Sequence, residues 1–560
     1  MHASRIGWLV GACAIAVAPC SQAADAPLPT GPVGAIVDFE VLPGDTLIGL
    51  SSAVFTSPAA WREIAALNRL ANPNRIRPGL VLRVPARLLR SQAAAATLVS
   101  VEGEVKVDDA AAAAGSLLRE GQSISTGERG SVVIELADGS RVKLPPSSLA
   151  ELMTSRNMAS RGDAPAGGLF SGMLRLLRGS VEVFATKVLR ARPLELTTPT
   201  AVIGVRGTQF RAGADADPAA ADQPSSRVEV LEGRVQVERL RNAAAAAGVE
   251  LPQGFAARVD AGSGAIVAAP LLPAPDLSGV PARFERPMVR FAPPGIAEPL
   301  RVQVAADAAF DRIVSDQLVP LGTDVRVAGL ADGNWFLRAR RQDARGLEGY
   351  DAERPFVLKA RPEPPPVSTP PPRAKQTVGA VPFGWAASVQ ALQYRLQVAR
   401  DAAFADLLLD RADVAGNALQ LDIGAAGVYH WRVASIAAGN DQGPFGDPQS
   451  FELRELPTAP EGGVSADGRS VALRWGGRPQ DRQQVELASD EAFTNIVARA
   501  ELSEPAWALP VPSQTGTYYF RYRSVEPDGF VTPYSSTLKI EVPFDKRWLL
   551  LLAPLLLLGF

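Results

Sequence analysis

The chain has 560 residues, 47% of them apolar and 21% charged, enough to fill several hydrophobic cores. A formal net charge of −2 gives no case for a nucleic-acid or polyanion-binding surface, and two cysteines with two histidines leave little for metal clusters or thiol chemistry.

Residues 1–23 read as a secretory signal peptide. His2 and Arg5 make a weakly basic start, an apolar run covers Ile6 to Ala18, and Ser21-Gln22-Ala23 supplies a small-residue cleavage site. The run is too short to span a bilayer. Lipidation at Cys20 is the alternative, disfavoured by Pro19 in front of it. Cleavage after Ala23 removes Cys13, Cys20 and His2, leaving His430 as the one histidine of an exported chain. Such a chain offers no Cys nucleophile, no Cys or His metal cluster and, with His430 in an expected strand, no Ser-His-Asp triad. It is read as non-enzymatic, with no cofactor.

Between residues 36 and 87 the text runs Phe39-Glu40-Val41-Leu42-Pro43-Gly44-Asp45-Thr46-Leu47, then Trp61-Arg62-Glu63-Ile64-Ala65-Ala66-Leu67-Asn68-Arg69-Leu70, then Ile76-Arg77-Pro78-Gly79-Leu80-Val81-Leu82-Arg83-Val84-Pro85. Gly44 supplies positive-φ freedom for a strand-to-helix turn, and Thr46 can cap the helix opened by Leu47 and Leu50. Ile64, Leu67 and Leu70 fall on helical spacing, and Pro78-Gly79 is a turn before the alternating Leu80, Leu82 and Val84. This block resembles a LysM module. The resemblance implies a βααβ fold that binds N-acetylglucosamine-containing glycans, chiefly peptidoglycan. The binding positions it carries over are Gly44, Asp45, Thr46 and Leu47, with Asn74, Arg75 and Ile76 on the loop before the last strand. Without the family, Gly44, Asp45 and Thr46 merely shape a turn. Residues 36–90 hold seven Arg against four Asp or Glu, modestly favouring an acidic wall polymer.

After the alanine spacer Ala93 to Ala96, strands alternate apolar with polar: Leu98 to Val107, Ser131 to Leu136, Arg141 to Leu144, Val181 to Phe184 and Val228 to Val237. Asp138-Gly139 is a hairpin turn. Leu118-Arg119-Glu120-Gly121, Ala137-Asp138-Gly139-Ser140, Leu177-Arg178-Gly179-Ser180-Val181 and Thr198-Pro199-Thr200-Ala201-Val202-Ile203-Gly204-Val205-Arg206-Gly207-Thr208-Gln209-Phe210 make residues 97–268 resemble the periplasmic FecR-type domain. Founding members of that family relay a signal from an outer-membrane receptor to a sigma factor. A signal peptide and LysM-like module stand here in place of their cytoplasmic segment and transmembrane helix, which points to a scaffold or sensor outside that circuit. Arg206, between Gly204 and Gly207, is a candidate partner contact through its guanidinium, or else an internal pair at a strand end. The segment Ala212 to Ser226 reads as an exposed hairpin loop.

The second half repeats itself. Asp307-Ala308-Ala309-Phe310 returns as Asp401-Ala402-Ala403-Phe404 and Asp490-Glu491-Ala492-Phe493, and a Gly follows each Phe by 23 residues, at Gly333, Gly427 and Gly516. Equal offsets mark a duplicated domain. Three small β-sandwiches are expected over 284–360, 375–455 and 458–544, resembling fibronectin type III modules. Trp385 and Trp475 should anchor cores, with Phe291 standing in for them in the first copy. His430 should be an outward strand residue. The Pro-rich segment Arg361 to Pro372 reads as a semi-rigid spacer, giving domains in a row that melt separately.

The tail 548–560 is apolar throughout; as a helix it would rise about 20 Å, short of the roughly 30 Å of hydrocarbon. A peripheral anchor with Lys546, Arg547 and Trp548 at the interface stands beside packing on protein. The whole reads as a mainly β, multidomain protein of the periplasm or cell envelope. It binds peptidoglycan and acts as scaffold or sensor toward an envelope protein partner, the alternative being a signalling component served by an outer-membrane receptor.

Overall fold

The computed structural model describes residues 36–158, 170–186, 194–205, 207–215, 224–241, 244–245, 248–261, 266–293 and 297–544. The signal-peptide segment, Arg206, most of the loop at 212–226 and the apolar tail lie outside the described residues. Two compact units divide the chain. One holds residues up to 282 with 290–327 and 334–356; the other holds 283–289, 328–333 and everything from 357 onward.

In the first unit, strand β1 (Ile36–Glu40) pairs antiparallel with β2 (Val81–Pro85), and helices α1 (Leu47–Ala53) and α2 (Trp61–Leu67) lie between them in sequence. Thr46 caps α1 as its position suggests, accepting from the Gly49 N–H at 3.0 Å. Leu47, Leu50, Ile64, Leu82 and Val84 fill the core. The expected apolar face of α2 is shorter than its spacing indicated. The helix ends at Leu67, which is exposed, and Ala65 is buried beside Ile64 instead. Asn68, just past the helix end, clamps it to β2: its amide donates to the carbonyls of Ile64 and Arg83, both at 2.8 Å, and its oxygen accepts from the Arg83 N–H at 2.6 Å.

The alanine stretch that follows is not a spacer. Strand Ser91–Ala93 pairs with Leu149–Met158, the Ala94 N–H donates to the Ser155 carbonyl at 2.8 Å, and Ala96 is fully buried. Met158 enters the core of the N-terminal module. The middle domain is a closed barrel of antiparallel strands with, among the described residues, one parallel pairing, built on a single apolar interior. Its organising element is β3 (Phe170–Phe184). Residues 170–178 pair with Leu149–Met158, while 179–184 pair with β4 (Gln209–Asp215). The change of partner falls at Gly179, where φ is +85° and an added Cβ would lie 2.7 Å from the Ser148 Cα. Next in the sheet, β5 (Ser225–Glu232) pairs with β4. Asp138-Gly139 makes the expected hairpin turn, with Gly139 at φ +78°.

The first sandwich contributes to this unit the antiparallel strands β6 (Leu300–Ala305), β7 (Ile313–Val319) and β8 (Gly333–Arg341), with β6 in the centre.

The second unit holds two complete sandwiches. In the second copy, Gly379–Trp385 lies between Val367–Thr369 and Ala418–Ile423, opposite a sheet centred on Gln393–Ala399 and Gly427–Ala437. Phe383 meets Trp431 edge-on at 5.3 Å and Trp385 meets Tyr394 at 5.4 Å, so Trp385 anchors the core as expected. In the third copy Trp475 stacks on Tyr522 at 5.1 Å. His430 is half-buried between the buried Tyr429 and Trp431. The Pro-rich segment is woven into the second sandwich rather than set apart. Val367–Thr369 is a strand, Pro362, Pro365 and Pro370 are buried, and the Ala386 N–H donates to the Pro366 carbonyl at 2.8 Å.

The repeated phrase builds the same turn three times. Asp401 accepts from the N–H groups of Ala403, Ala405 and Asp406, and Asp307 and Asp490 each accept from the backbone four and five residues on. Phe310, Phe404 and Phe493 all take a left-handed φ, at 55°, 59° and 54°. Each ring then lies under an arginine 28 residues later: Arg338 at 4.4 Å, Arg432 at 4.0 Å and Arg521 at 3.9 Å.

Candidate functional site

Two places in the first unit gather groups with chemistry to offer. One is the turn of the N-terminal module. Gly44 has φ +90°, and Asp45 closes the turn, with its carboxylate accepting from the Leu42 N–H at 2.8 Å and its own N–H donating to the Leu42 carbonyl at 3.1 Å. Val41 exchanges backbone hydrogen bonds with Gly79 and Leu80 at 2.7 and 2.8 Å, which sets the end of β1 beside the loop leading into β2. On that loop Asn72 organises the chain, accepting from the Asn74 N–H through its side chain and from the Arg75 N–H through its carbonyl.

The sequence-derived residues divide by exposure. Gly44, Thr46, Asn74 and Arg75 are exposed and Asp45 is half-buried, whereas the Leu47 side chain is 1% exposed and belongs to the core. Leu47 can therefore meet a ligand only through its backbone, and Ile76 packs mostly against the core as well. Sequence reasoning passed over Leu42 and Ile48, which flank the turn at 47% and 53% exposure. Ile48 falls off the apolar stripe of α1, and Leu42 breaks the alternation that runs through Val37, Phe39 and Val41; that was the available signal. Exposed aliphatic side chains beside polar backbone suit the apolar C–H faces and hydroxyl edges of a sugar chain. Arg75 and Arg77 have no carboxylate partner among the described residues, so the loop keeps a positive charge.

The second place is a buried ionic interface that alternation alone did not disclose. Lys143, Glu182, Arg211 and Glu229 face one another in register across neighbouring strands of the middle domain, a row of alternating charge. In an isolated sheet those positions would face water; here the first sandwich covers them. Arg338 reaches Glu182 at 3.3 Å, Arg211 reaches Asp351 at 2.9 Å, Arg227 reaches Glu348 at 3.3 Å, and Lys143 reaches Asp311 at 2.6 Å. Arg340 joins Glu348 and Asp351 from within the sandwich. Arg211, Arg227, Glu229, Arg338, Arg340 and Glu348 are each 6% exposed or less.

Charges so deep must be matched nearly one for one. Burial pushes the Glu229 carboxyl up to about 7, opposed by Arg227 and Arg211 and reinforced by Glu348. Burial acts on Asp351 in the same sense, but Arg211, Arg340 and Arg338 outweigh it and hold that carboxyl at about 2. Glu348 is likewise held low by Arg340 and Arg227 against its burial. The interface thus binds one domain to another. Among the described residues no group of three or more His, Cys, Asp or Glu is placed to hold a metal ion.

Residues 39–85 match the family model described as LysM domain, and residues 122–236 match that described as FecR protein, so the chain carries one domain of each kind. No curated protein matches the chain. Among solved structures, a candidate anti-sigma factor from Parabacteroides distasonis is 18% identical with a TM-score of 0.20, over 26% of this chain and 59% of that one. The chain thus spans less than two thirds of that protein's length. The FN1–FN3 domains of chicken CNTN1 are 13% identical over 44% of this chain and 89% of that chain, with a TM-score of 0.20. A two-domain fibronectin type III segment of chicken tenascin is 12% identical over 32% and 98%, with a TM-score of 0.19.

Proposed function

We propose that this is an exported, non-enzymatic cell-envelope protein that holds peptidoglycan through its LysM domain and serves as a scaffold through its FecR-type domain and sandwiches. The observation that carries the reading is the turn at Gly44-Asp45-Thr46. It sits beside the Asn72–Leu80 loop with Leu42 and Ile48 exposed and two uncompensated arginines nearby, a shallow, mixed surface suited to an extended acidic glycan. The Gly44, Asp45, Thr46, Asn74 and Arg75 positions would supply polar contacts, and Leu47 and Ile76 backbone groups alone. Scaffolding is favoured over free sensing because the charged row of the FecR-type domain is already held by the chain's own first sandwich.

Sedimentation with purified sacculi tests the glycan reading. The full chain should pellet, and Leu42→Asp with Ile48→Asp should lower the bound fraction about tenfold while the melting temperature holds, since both side chains are exposed. Equal pelleting by the double variant would remove the turn from the binding surface. The signalling alternative rests on the FecR match, and crosslinking in intact envelopes to an outer-membrane receptor would favour it.

A further inference from the structure

The charged row of the barrel belongs to a longer line. Ser100, Val133, Lys143, Glu182, Arg211, Glu229 and Ala256, one residue per strand, stand opposite one another in register. The first sandwich covers this line from end to end. At one end the Ile313 N–H donates to the Ser131 hydroxyl oxygen at 2.8 Å, two residues from the fully buried Val133. At the other, Ala256 packs with Leu347. A joint made mainly of ions can open without presenting a large apolar face to water.

Docking also brings two carboxylates together. Glu348 of the sandwich donates its N–H to Glu229 of the barrel at 3.3 Å, and both side chains draw on the Arg227 guanidinium, at 3.3 and 3.5 Å respectively. Their shares are unequal. Glu348 holds Arg340 as well, whereas the second Glu229 oxygen, Oε2, is buried without a hydrogen-bond partner. The other charges around Glu229 are engaged elsewhere. Arg211 on β4 is on Asp351 at 2.9 Å and on the Gly349 carbonyl, and Arg340 on β8 also reaches Asp351 at 3.1 Å. Arg338 is on Glu182, Arg301 of β6 is on Asp316 of β7 at 2.6 Å, and Arg258 of the strand Phe255–Asp260 is on Asp260 at 2.6 Å. Burial pushes the Glu229 carboxyl up, Arg227 opposes it, and Glu348 adds to the push.

We infer that the first sandwich is a proton-linked clasp on the barrel: closing places a proton on Glu229, and losing that proton lets the sandwich lift from the charged row. A carboxyl raised by docking favours the closed form fully below its ordinary 4.5, and the advantage is lost as pH rises through about 7. The barrel face is covered in acid and uncovered more often toward alkaline pH. This inference stands apart from the glycan reading.

Thiol labelling of the chain from Ala24 onward, which holds no cysteine of its own, reads the opening. Val133→Cys and, in a separate protein, Ala256→Cys put a reporter at each end of the line, and Val142→Cys in the barrel interior is the control for global unfolding. Each rate is divided by that of the urea-unfolded protein at the same pH, which cancels thiolate ionisation. Both reporters should label about tenfold faster per pH unit between roughly pH 5 and 6.5 and level off above about 7.5, with Val142→Cys protected throughout. Adding Glu229→Gln, a neutral isostere of the protonated side chain, should hold both reporters at their acid rates. Rates indifferent to pH, a slope that survives Glu229→Gln, a Val142→Cys control that labels as fast as the reporters, or reporters that never label would each overturn the proposal.

Discussion

Glutamate 348 is the most exacting place to disturb this molecule. It is 3% exposed, bonded to Arg340 and within 3.3 Å of Arg227, both buried. Glu348→Gln keeps the shape and removes the charge, leaving two guanidiniums short of an anion. Removing one partner of a buried pair costs about 3–5 kcal/mol. A cooperative unit of this size loses roughly 2–4 °C per kcal/mol, so the transition containing the FecR-type domain and the first sandwich should fall by about 10 °C. Scanning calorimetry of the full chain would read it, because sandwiches two and three hold no partner of Glu348 and their heat absorption should stay in place. A shift of under about 2 °C, or a first sandwich that melts alone while the FecR-type domain is unmoved, would refute the view that the ionic interface joins them.

The pH dependence should bend both ways. Asp351 is held at about 2 against its ordinary 3.8, so its contribution of about 2 kcal/mol is complete above pH 4 and is lost as pH falls through 2. Glu229, raised from 4.5 to about 7, contributes in the opposite sense, fully below 4.5 and progressively less as pH rises through 7. Urea midpoints that climb steadily to about pH 8 would contradict the Glu229 assignment. Phe404→Ala should destabilise the second sandwich by about 3 kcal/mol, measured by equilibrium unfolding, because it removes a buried ring from under Arg432. Chelators and reductants should leave the melting curve of the mature chain unchanged, and a large fall with EDTA would reveal a carboxylate-held ion. Removing residues 548–560 should shift the protein out of the membrane fraction, and mass spectrometry should find Ala24 at the mature N-terminus. A lipidated Cys20 would overturn that processing.

Much of the fold could be read from periodicity and turn residues. Gly44, Thr46, the Asp138-Gly139 hairpin, and Trp385 and Trp475 all do what their chemistry suggests, because each acts through its own neighbourhood. The repeat was legible as spacing, but its cause was not. The spacing brings a left-handed Phe beneath an Arg 28 residues on, in each of the three copies. What alternation misread was the destination of polar residues. Glu182, Arg211 and Glu229 alternate as solvent-facing residues would, yet another domain covers them. Proline content misled similarly at 361–372, where hydrogen bonds to carbonyls and a short strand, invisible in composition, tie the segment into a sheet. At the candidate glycan turn, motif position could not separate Leu47, which faces inward, from Ile48, which faces out.

The junction between the LysM domain and the barrel has a mechanical meaning. The Arg90 N–H bonds to the Val54 carbonyl, its guanidinium to that of Phe55, strand Ser91–Ala93 pairs directly with Leu149–Met158, and Met158 returns to the LysM core. No run of free chain lies between them to take up slack. If a glycan strand occupies the turn, the barrel inherits a fixed bearing relative to it, as a bracket does and a rope does not. Movement of the wall would then reach the barrel as torque, and the short pairing at residues 91–93 with its methionine latch would be the first element to carry the load.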